Sequence, residues 1–403
     1  MIVKKKVLFV IPYMHEGGSQ RALSNIQMNF PDDWTIETLV NSEINKKFDF
    51  KGKIYTLGIT GEPRTESVLF QIRAFVKRIS KLRKLKKTGG YDACISFSDS
   101  ANVANILSGN RYCKTIITVM TSLNEVKRIS NYKFIVIPLA KLLYNKADCV
   151  VAVSEELKQE LGLCYGISSS KLVAITTGYE LSAISIKKDE CIDENIASII
   201  AGKKVVCNVG RLSFPKGQWH LIRAFAKVKE TIPDSVLLIA GDGELKEYLT
   251  DLIENLGLIG SVILLGHTDN VYKYVNVADV FVFPSLFEGF PNALAEAICV
   301  GTPCVATDFR TGVRELLAPE LMFQDVHIDS VQECEYGILS PLCSDTMHIG
   351  MEPLEYSEEK LAEAIVMMMK SENSMKYQVK SLEKRSLLDI RFTVSKWINL
   401  ISE

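Results

Sequence analysis

Four ionisable side chains on two short segments are spaced to hold a doubly anionic ligand. The first segment, Asn208-Val209-Gly210-Arg211-Leu212-Ser213-Phe214-Pro215-Lys216-Gly217, carries two cations five residues apart on a Gly/Pro turn. Such a pair converges readily on one diphosphate, the guanidinium as a planar fork and the ammonium as a point charge. The second segment runs Phe283-Pro284-Ser285-Leu286-Phe287-Glu288-Gly289-Phe290-Pro291-Asn292-Ala293-Leu294-Ala295-Glu296. It places Glu288 just before a helix that Pro291 opens, and Glu296 about one and a half turns into that helix. A helix start leaves N–H groups unpaired and carries partial positive charge. The amides of Gly289, Phe290 and Asn292 therefore suit a phosphate or a sugar hydroxyl. A weaker feature is Gly17-Gly18-Ser19-Gln20-Arg21, where glycines let backbone approach a ligand closely. It lacks the G-x-G-x-x-G spacing, which argues against a dinucleotide oxidoreductase.

The elements that must position these groups alternate along the whole chain. In the first half the spacing predicts strands at Val7–Ile11, Thr35–Val40, Ala93–Phe97, Thr115–Met120, Cys149–Val153 and Leu172–Ile175. Helical stretches lie between them, among them Gln20–Phe30, Ser67–Lys87 and Lys133–Asn145. In the second half strands are expected at Lys204–Val209, Ser235–Ala240, Ser261–Leu265, Val280–Phe283 and Pro303–Ala306. Helices near 218–231, 244–257, 271–277, 291–300 and 311–317 separate them. Strands apolar along their length, alternating with helices, mean parallel sheets covered on both faces. The pattern restarts after the polar stretch Ser182–Glu194, which reads as a linker. The stretch Glu320–Glu355 is acidic, shows no period, and reads as a long functional insertion or loop. Two doubly wound domains facing a central cleft follow, with ligands at the carboxyl ends of the strands.

Bulk composition agrees. A chain of 403 residues with 47% apolar and 24% charged side chains is globular and suits two domains. Its net charge of −1 hides an asymmetry: residues 1–180 carry 26 − 16 = +10, the remainder 21 − 32 = −11. The first half therefore expects an anionic partner. Nucleic acid is a poor fit, with no zinc-finger spacing and Phe75 the sole aromatic in the basic run 73–87. Ten scattered cysteines without a CxxC pair read as reduced, buried thiols of a cytosolic protein. Neither a signal peptide nor a membrane span is expected.

Arg211 and Lys216 on one loop, with Glu288 and Glu296 separated by seven residues on a later one, resemble the donor site of glycosyltransferase family 4. Further echoes are Ala240-Gly241-Asp242-Gly243-Glu244, Leu265-Gly266-His267, Gly301-Thr302-Pro303, Val305-Ala306-Thr307-Asp308 and Tyr336-Gly337-Ile338-Leu339. The resemblance covers nearly the whole chain. It implies the GT-B fold, with two Rossmann-like domains at 1–181 (acceptor side) and 182–380 (nucleotide-sugar side), and a helix within 381–403 crossing back to the first. It implies a retaining hexosyltransferase that moves a hexose or N-acetylhexosamine from a nucleotide diphosphate sugar, by frequency a UDP sugar, to a glycan or lipid-linked acceptor. Capsule, lipopolysaccharide or other polysaccharide biosynthesis is the expected setting. By the same resemblance Gly210, Arg211 and Lys216 hold the diphosphate, Glu296 the ribose, and Glu288 with Gly289, Phe290, Pro291 and Asn292 the sugar and phosphate. Gly18 approaches the phosphate, and His267 lies beside the base. Arg211, Lys216 and Glu288 are the catalytic candidates. There is no Asp-x-Asp pair, so two cations stand in for a metal and no cofactor is expected.

The family often carries a His after the fourth or fifth strand. Here that region reads Thr118-Val119-Met120-Thr121-Ser122-Leu123-Asn124-Glu125, so either Thr121 or Ser122 takes the place of the His on the acceptor side, or the acceptor is bound differently. The Asn-Gly turn usual near the domain junction is Thr177-Gly178-Tyr179. Residues 67–87 read as an amphipathic helix with a dense cationic face, either an ordinary sheet-covering helix with a solvated side or one suited to peripheral docking at the anionic inner face of the membrane. Two other functions share these features: a nucleotide-sugar epimerase on the same scaffold, and an inactive binding partner of another glycosyltransferase.

Overall fold

Runs of Val, Ile and Leu without a polar alternation cannot present a solvated face, so each strand must be covered on both sides. The structure, a computed structural model, describes residues 4–14, 17–44, 46–59, 68–124, 133–350 and 352–403. The chain divides into two compact units, Met1–Gly178 with Ile390–Glu403, and Tyr179–Asp389.

In the first unit, strands β1 (Lys6–Val10), β2 (Thr35–Val40), β3 (Lys53–Thr56), β4 (Ala93–Phe97), β5 (Lys114–Val119), β6 (Cys149–Ala152) and β7 (Leu172–Ala174) form one parallel sheet, ordered β3-β2-β1-β4-β5-β6-β7. The strand order reverses between β1 and β4. The helix Ile390–Ser402 belongs to this unit, burying Trp397 with its ring 6.2 Å from that of Phe97.

The second unit repeats the plan with β8 (Lys204–Val209), β9 (Ser235–Ala240), β10 (Val262–Gly266), β11 (Val280–Phe283), β12 (Cys304–Thr307), β13 (Gln332–Glu333) and β14 (Ile338–Ser340), ordered β10-β9-β8-β11-β12-β14-β13. All pairs are parallel except β13–β14. Here the order reverses between β8 and β11. Crevices at such switch points, beyond the carboxyl ends of the strands, are where open α/β sheets bind ligands.

Four expectations change. The stretch 320–355 is no mere insertion: β14 completes the sheet, and two buried arginines hold the rest. Arg314 donates to the carbonyls of Leu321, Gln324 and Val326, and Arg223 to those of Gly350, Glu352 and Pro353. Each is also ion-paired with a buried carboxylate, Asp308 at 2.6 Å and Glu358 at 2.9 Å. Carbonyls satisfied in this way need no regular period. The expected linker at 182–194 contains a helix, Leu181–Lys188, and the units divide at 178/179 instead. The helix Ser371–Arg385 lies wholly in the second unit, so the return to the first begins at Ile390 rather than 381. All ten cysteines are free, but Cys164 and Cys191 are exposed rather than buried.

Candidate active site

The cationic loop follows β8 and the acidic loop follows β11, so the strand order alone sets them on either side of the switch point. Side chains then join them. Lys216 Nζ is ion-paired with Glu288 Oε1, which also accepts a hydrogen bond from Ser285 Oγ at 3.1 Å. The two side chains are 24% and 15% exposed, so the pair is partly desolvated yet open to a ligand. Lys216 Nζ also lies 5.3 Å from the centre of the Phe283 ring. Arg211, on the same loop, is exposed and has no ion-pair partner among the described residues.

Backbone contacts fix the loops. Leu286 N–H donates to Pro215 O at 2.9 Å. Gly217, left-handed at φ 59°, lies so close to the second loop that a Cβ there would stand 2.4 Å from Pro284 O. Gly241 is equally constrained: a Cβ would meet Gly210 O at 2.0 Å, while Gly210 N–H donates to Ala240 O. The acidic loop is braced from behind by residues 310–312. Glu288 N–H donates to Arg310 O at 3.2 Å, Thr311 N–H to Glu288 O at 3.0 Å, and Thr311 Oγ1 to Gly289 O at 2.7 Å. That brace is anchored by Asp308. Burial pushes the Asp308 carboxyl up, but hydrogen bonds from Arg314, His327 and the Ile328 amide outweigh it and hold the group well below the usual carboxylate range.

The helix following the acidic loop begins at Asn292, with Pro291 as its N-cap and Phe290 buried before it. Glu296 is buried on that helix, a little over one turn in, and accepts from Tyr272 OH at 3.4 Å. The Asn292 N–H does not point freely as expected; it is turned onto Phe290 O at 2.9 Å. Its side chain accepts from Tyr179 OH at 2.8 Å. His267 follows the edge strand β10, lies 3.6 Å from Asp269, and is separated from β8 by β9. Lys216, Glu288, Gly289, Phe290, Pro291 and Gly210 thus form one cluster, with Arg211 at its surface.

Gly18 belongs to the first unit, where it is exposed at the start of the helix Gly18–Met28. Ser122 is only 1% exposed and donates to Glu160 Oε2 at 2.7 Å, so it staples its loop; Thr121 beside it is exposed. Glu125, in the same region, lies outside the described residues. Ser285, Thr311 and Tyr179 were not legible as site residues, because their role is to hold other groups and their types carry no reactive signature.

Two family models match. One describes glycosyl transferases group 1 and covers residues 192–332; the other describes Glycosyltransferase Family 4 and covers residues 54–183. An uncharacterized glycosyltransferase of Methanocaldococcus jannaschii is 32% identical over 81% of this chain and 83% of its own. The chain belongs to glycosyltransferase family 4. A 4-alpha-N-acetylgalactosaminyltransferase of Campylobacter jejuni, named for a diphospho-undecaprenol-linked substrate, is 31% identical over 66% of this chain and 71% of its own. Among solved structures, HepE of Anabaena with UDP and glucose superposes with a TM-score of 0.72 at 19% identity, covering 99% of this chain and all of that one. This glycosyltransferase has the GT-B fold, each unit being a Rossmann-like parallel sheet.

Proposed function

We propose that this glycosyltransferase transfers a hexose or N-acetylhexosamine from a UDP sugar to a lipid-linked or glycan acceptor, with retention and without a metal. The observation that carries the reading is the Lys216–Glu288 contact at the switch point of the second sheet. Lys216 exchanges its carboxylate partner for the donor diphosphate, and Arg211 adds a fork from the same loop. The exchange leaves Glu288 to take hydroxyls of the sugar. Glu296 holds the ribose, His267 lines the side of the base, and Gly289, Phe290, Pro291 and Asn292 shape the sugar and phosphate pocket. Asn292 does so through its side chain. Gly18 and Thr121 serve from the first unit.

As the glycosidic bond breaks, charge builds on the leaving diphosphate. Two cations, already on the diphosphate once the donor is bound, stabilise it there, while the departing phosphate takes the acceptor proton. The residues thus position and neutralise, and no side chain needs to become covalently bound.

Contact with an anionic membrane surface is part of the proposal. The helix Val68–Gly89 exposes Arg73, Lys77, Arg83, Lys84 and Lys87 beside Ile72 and Val76. Its cationic face is smaller than 67–87 suggested, because Arg78 and Lys86 are buried; Ser67 lies outside the described residues. Near an anionic leaflet each basic side chain adds about 1 kcal/mol. The helices of the described residues include none long and apolar enough to span a membrane.

The test begins with thermal stabilisation by UDP, GDP and ADP, and proceeds to turnover of the preferred donor with a lipid-linked glycan, with and without a chelator. UDP stabilises, the new linkage keeps the donor's anomeric configuration, and the chelator has no effect. An inverted product, or an epimerised sugar from donor alone, overturns the reading.

A further inference from the structure

Three arginines of the described residues are deeply buried, and a count of their donors separates them. A guanidinium has five N–H groups. Arg314 directs hydrogen bonds from Nε, Nη1 and Nη2 to both Asp308 oxygens and to three carbonyls. Arg223 does the same with the Glu358 carboxylate and three carbonyls. Arg78, 5% exposed, makes two hydrogen bonds, Nη2 to Asn41 Oδ1 at 2.9 Å and Nη1 to Ser100 Oγ at 3.2 Å. Both acceptors are neutral, and Arg78 has no carboxylate in ion-pair range among the described residues. Lys86, buried nearby on the same helix, also lacks a carboxylate, but its three donors meet three acceptors: Asn105 O, Gly109 O and Thr115 Oγ1. Lys384, 9% exposed, donates to Glu315 O and lies 4.7 Å from the centre of the Tyr336 ring. Among the buried cations of the described residues Arg78 leaves the most donors unspent, three of five. Such a group is costly unless an anion joins it.

Its location says which face the anion enters from. Asn41 follows β2, Ser100 stands just beyond β4, and Tyr13, which lies within electrostatic range of Arg78, follows β1. These are the carboxyl ends of the strands around the β1/β4 reversal, the ligand position of the first sheet. Ser100 lies in the first turn of the helix Asp99–Leu107, and the Ser98 hydroxyl before it is buried without a partner among the described residues. Burial lowers the Arg78 guanidinium to about 10, which leaves it charged at neutral pH.

We propose that Arg78 binds a phosphoryl oxyanion at the switch point of the first unit, and that this oxyanion belongs to the acceptor, as the diphosphate of a lipid-linked glycan. Only the source of the anion rests on the transfer reaction proposed above; the anion site stands without it.

The first arm of the test uses inorganic phosphate as probe, against chloride at matched ionic strength, in the Arg211→Ala/Lys216→Ala background so that the proposed donor loop does not contribute. Phosphate raises Tm by about 3–5 °C at roughly ten times its Kd, and adding Arg78→Gln abolishes the rise. A rise that survives Arg78→Gln, or no rise before it, overturns the site. Should the Gln variant not fold, Arg78→Lys decides. A diminished rise supports the site, because the charge remains but the fork is gone, and an undiminished one overturns it. The second arm measures KM for the same glycan with and without its lipid diphosphate, using otherwise wild-type protein. Arg78→Lys raises KM about tenfold or more for the diphosphate-bearing acceptor and leaves donor KM and the phosphate-free acceptor unchanged. Equal effects on both acceptors overturn the acceptor assignment. Absence of any turnover beside an Arg78-dependent phosphate shift counts against the transfer reading and supports the site.

Discussion

Replacing Lys216 by alanine is the most direct test of the donor loop. In the ligand-free protein Lys216 is committed to Glu288, so a diphosphate gains only the difference between two anionic partners. A charge-assisted hydrogen bond contributes about 1.5–3 kcal/mol. With the side chain 24% exposed, the lower end applies to simple binding. Lys216→Ala is therefore expected to weaken UDP about tenfold, at 1.4 kcal/mol per decade. UMP, which lacks the second phosphate, loses little. Turnover suffers more, because charge on the leaving diphosphate peaks in the transition state: a fall in kcat of about 10²–10³. Titration calorimetry with UDP and UMP, followed by initial rates, separates the two effects. Equal weakening of both nucleotides, or a kcat within about threefold of wild type, refutes the reasoning, since one fixed cation facing the diphosphate predicts neither.

Glu288→Gln removes the competitor of the diphosphate while keeping a polar group near Ser285. UDP binding should tighten and turnover fall, and weaker UDP binding with unchanged turnover would contradict this. Gly217→Ala forces a Cβ to within 2.4 Å of Pro284 O at a left-handed φ; a loss of about 1–3 kcal/mol is expected by chemical denaturation, together with impaired nucleotide binding. Asp308 has a depressed carboxyl, so its contribution to stability is fully present above the ordinary carboxylate range and is lost as pH falls below it. Asp308→Asn should be less stable at pH 7 by about 3–5 kcal/mol, with a flatter dependence between pH 5 and 3 in acid titrations of unfolding. Charge reversal at Arg73, Lys77, Lys84 and Lys87 should abolish sedimentation with anionic vesicles while leaving that with neutral vesicles unchanged.

Strands with long apolar runs were legible because nothing but a two-sided covered sheet accommodates them; β2, β4, β8, β9 and β11 begin and end where the pattern does. Three strands escaped. β3 is a half-exposed edge, and β13 and β14 have two and three residues, too few to show any period. The basic helix was misjudged for a different reason. Arg78, Leu82, Leu85 and Lys86 share one inward face, and long cationic side chains there look identical in sequence to solvated ones. What marks them is the set of acceptors supplied by distant loops. The same holds at the candidate site. The spacing of Arg211, Lys216, Glu288 and Glu296 was readable, whereas the brace formed by Thr311 and the Asp308–Arg314 pair depends on strand order, which local patterns do not encode.

The first unit takes Ile390–Glu403 as its own, with Trp397 buried against Phe97 and Lys114 Nζ donating to Leu400 O at 2.7 Å. During synthesis those residues leave the ribosome only after the whole of the second unit. At about 5–20 residues per second, the roughly 210 residues of Tyr179–Asp389 separate the two parts of this unit by about 10–40 s. The second unit, though translated later, has all its residues first. A premature stop after Asp389 would spare the second unit and strip the interior of the first.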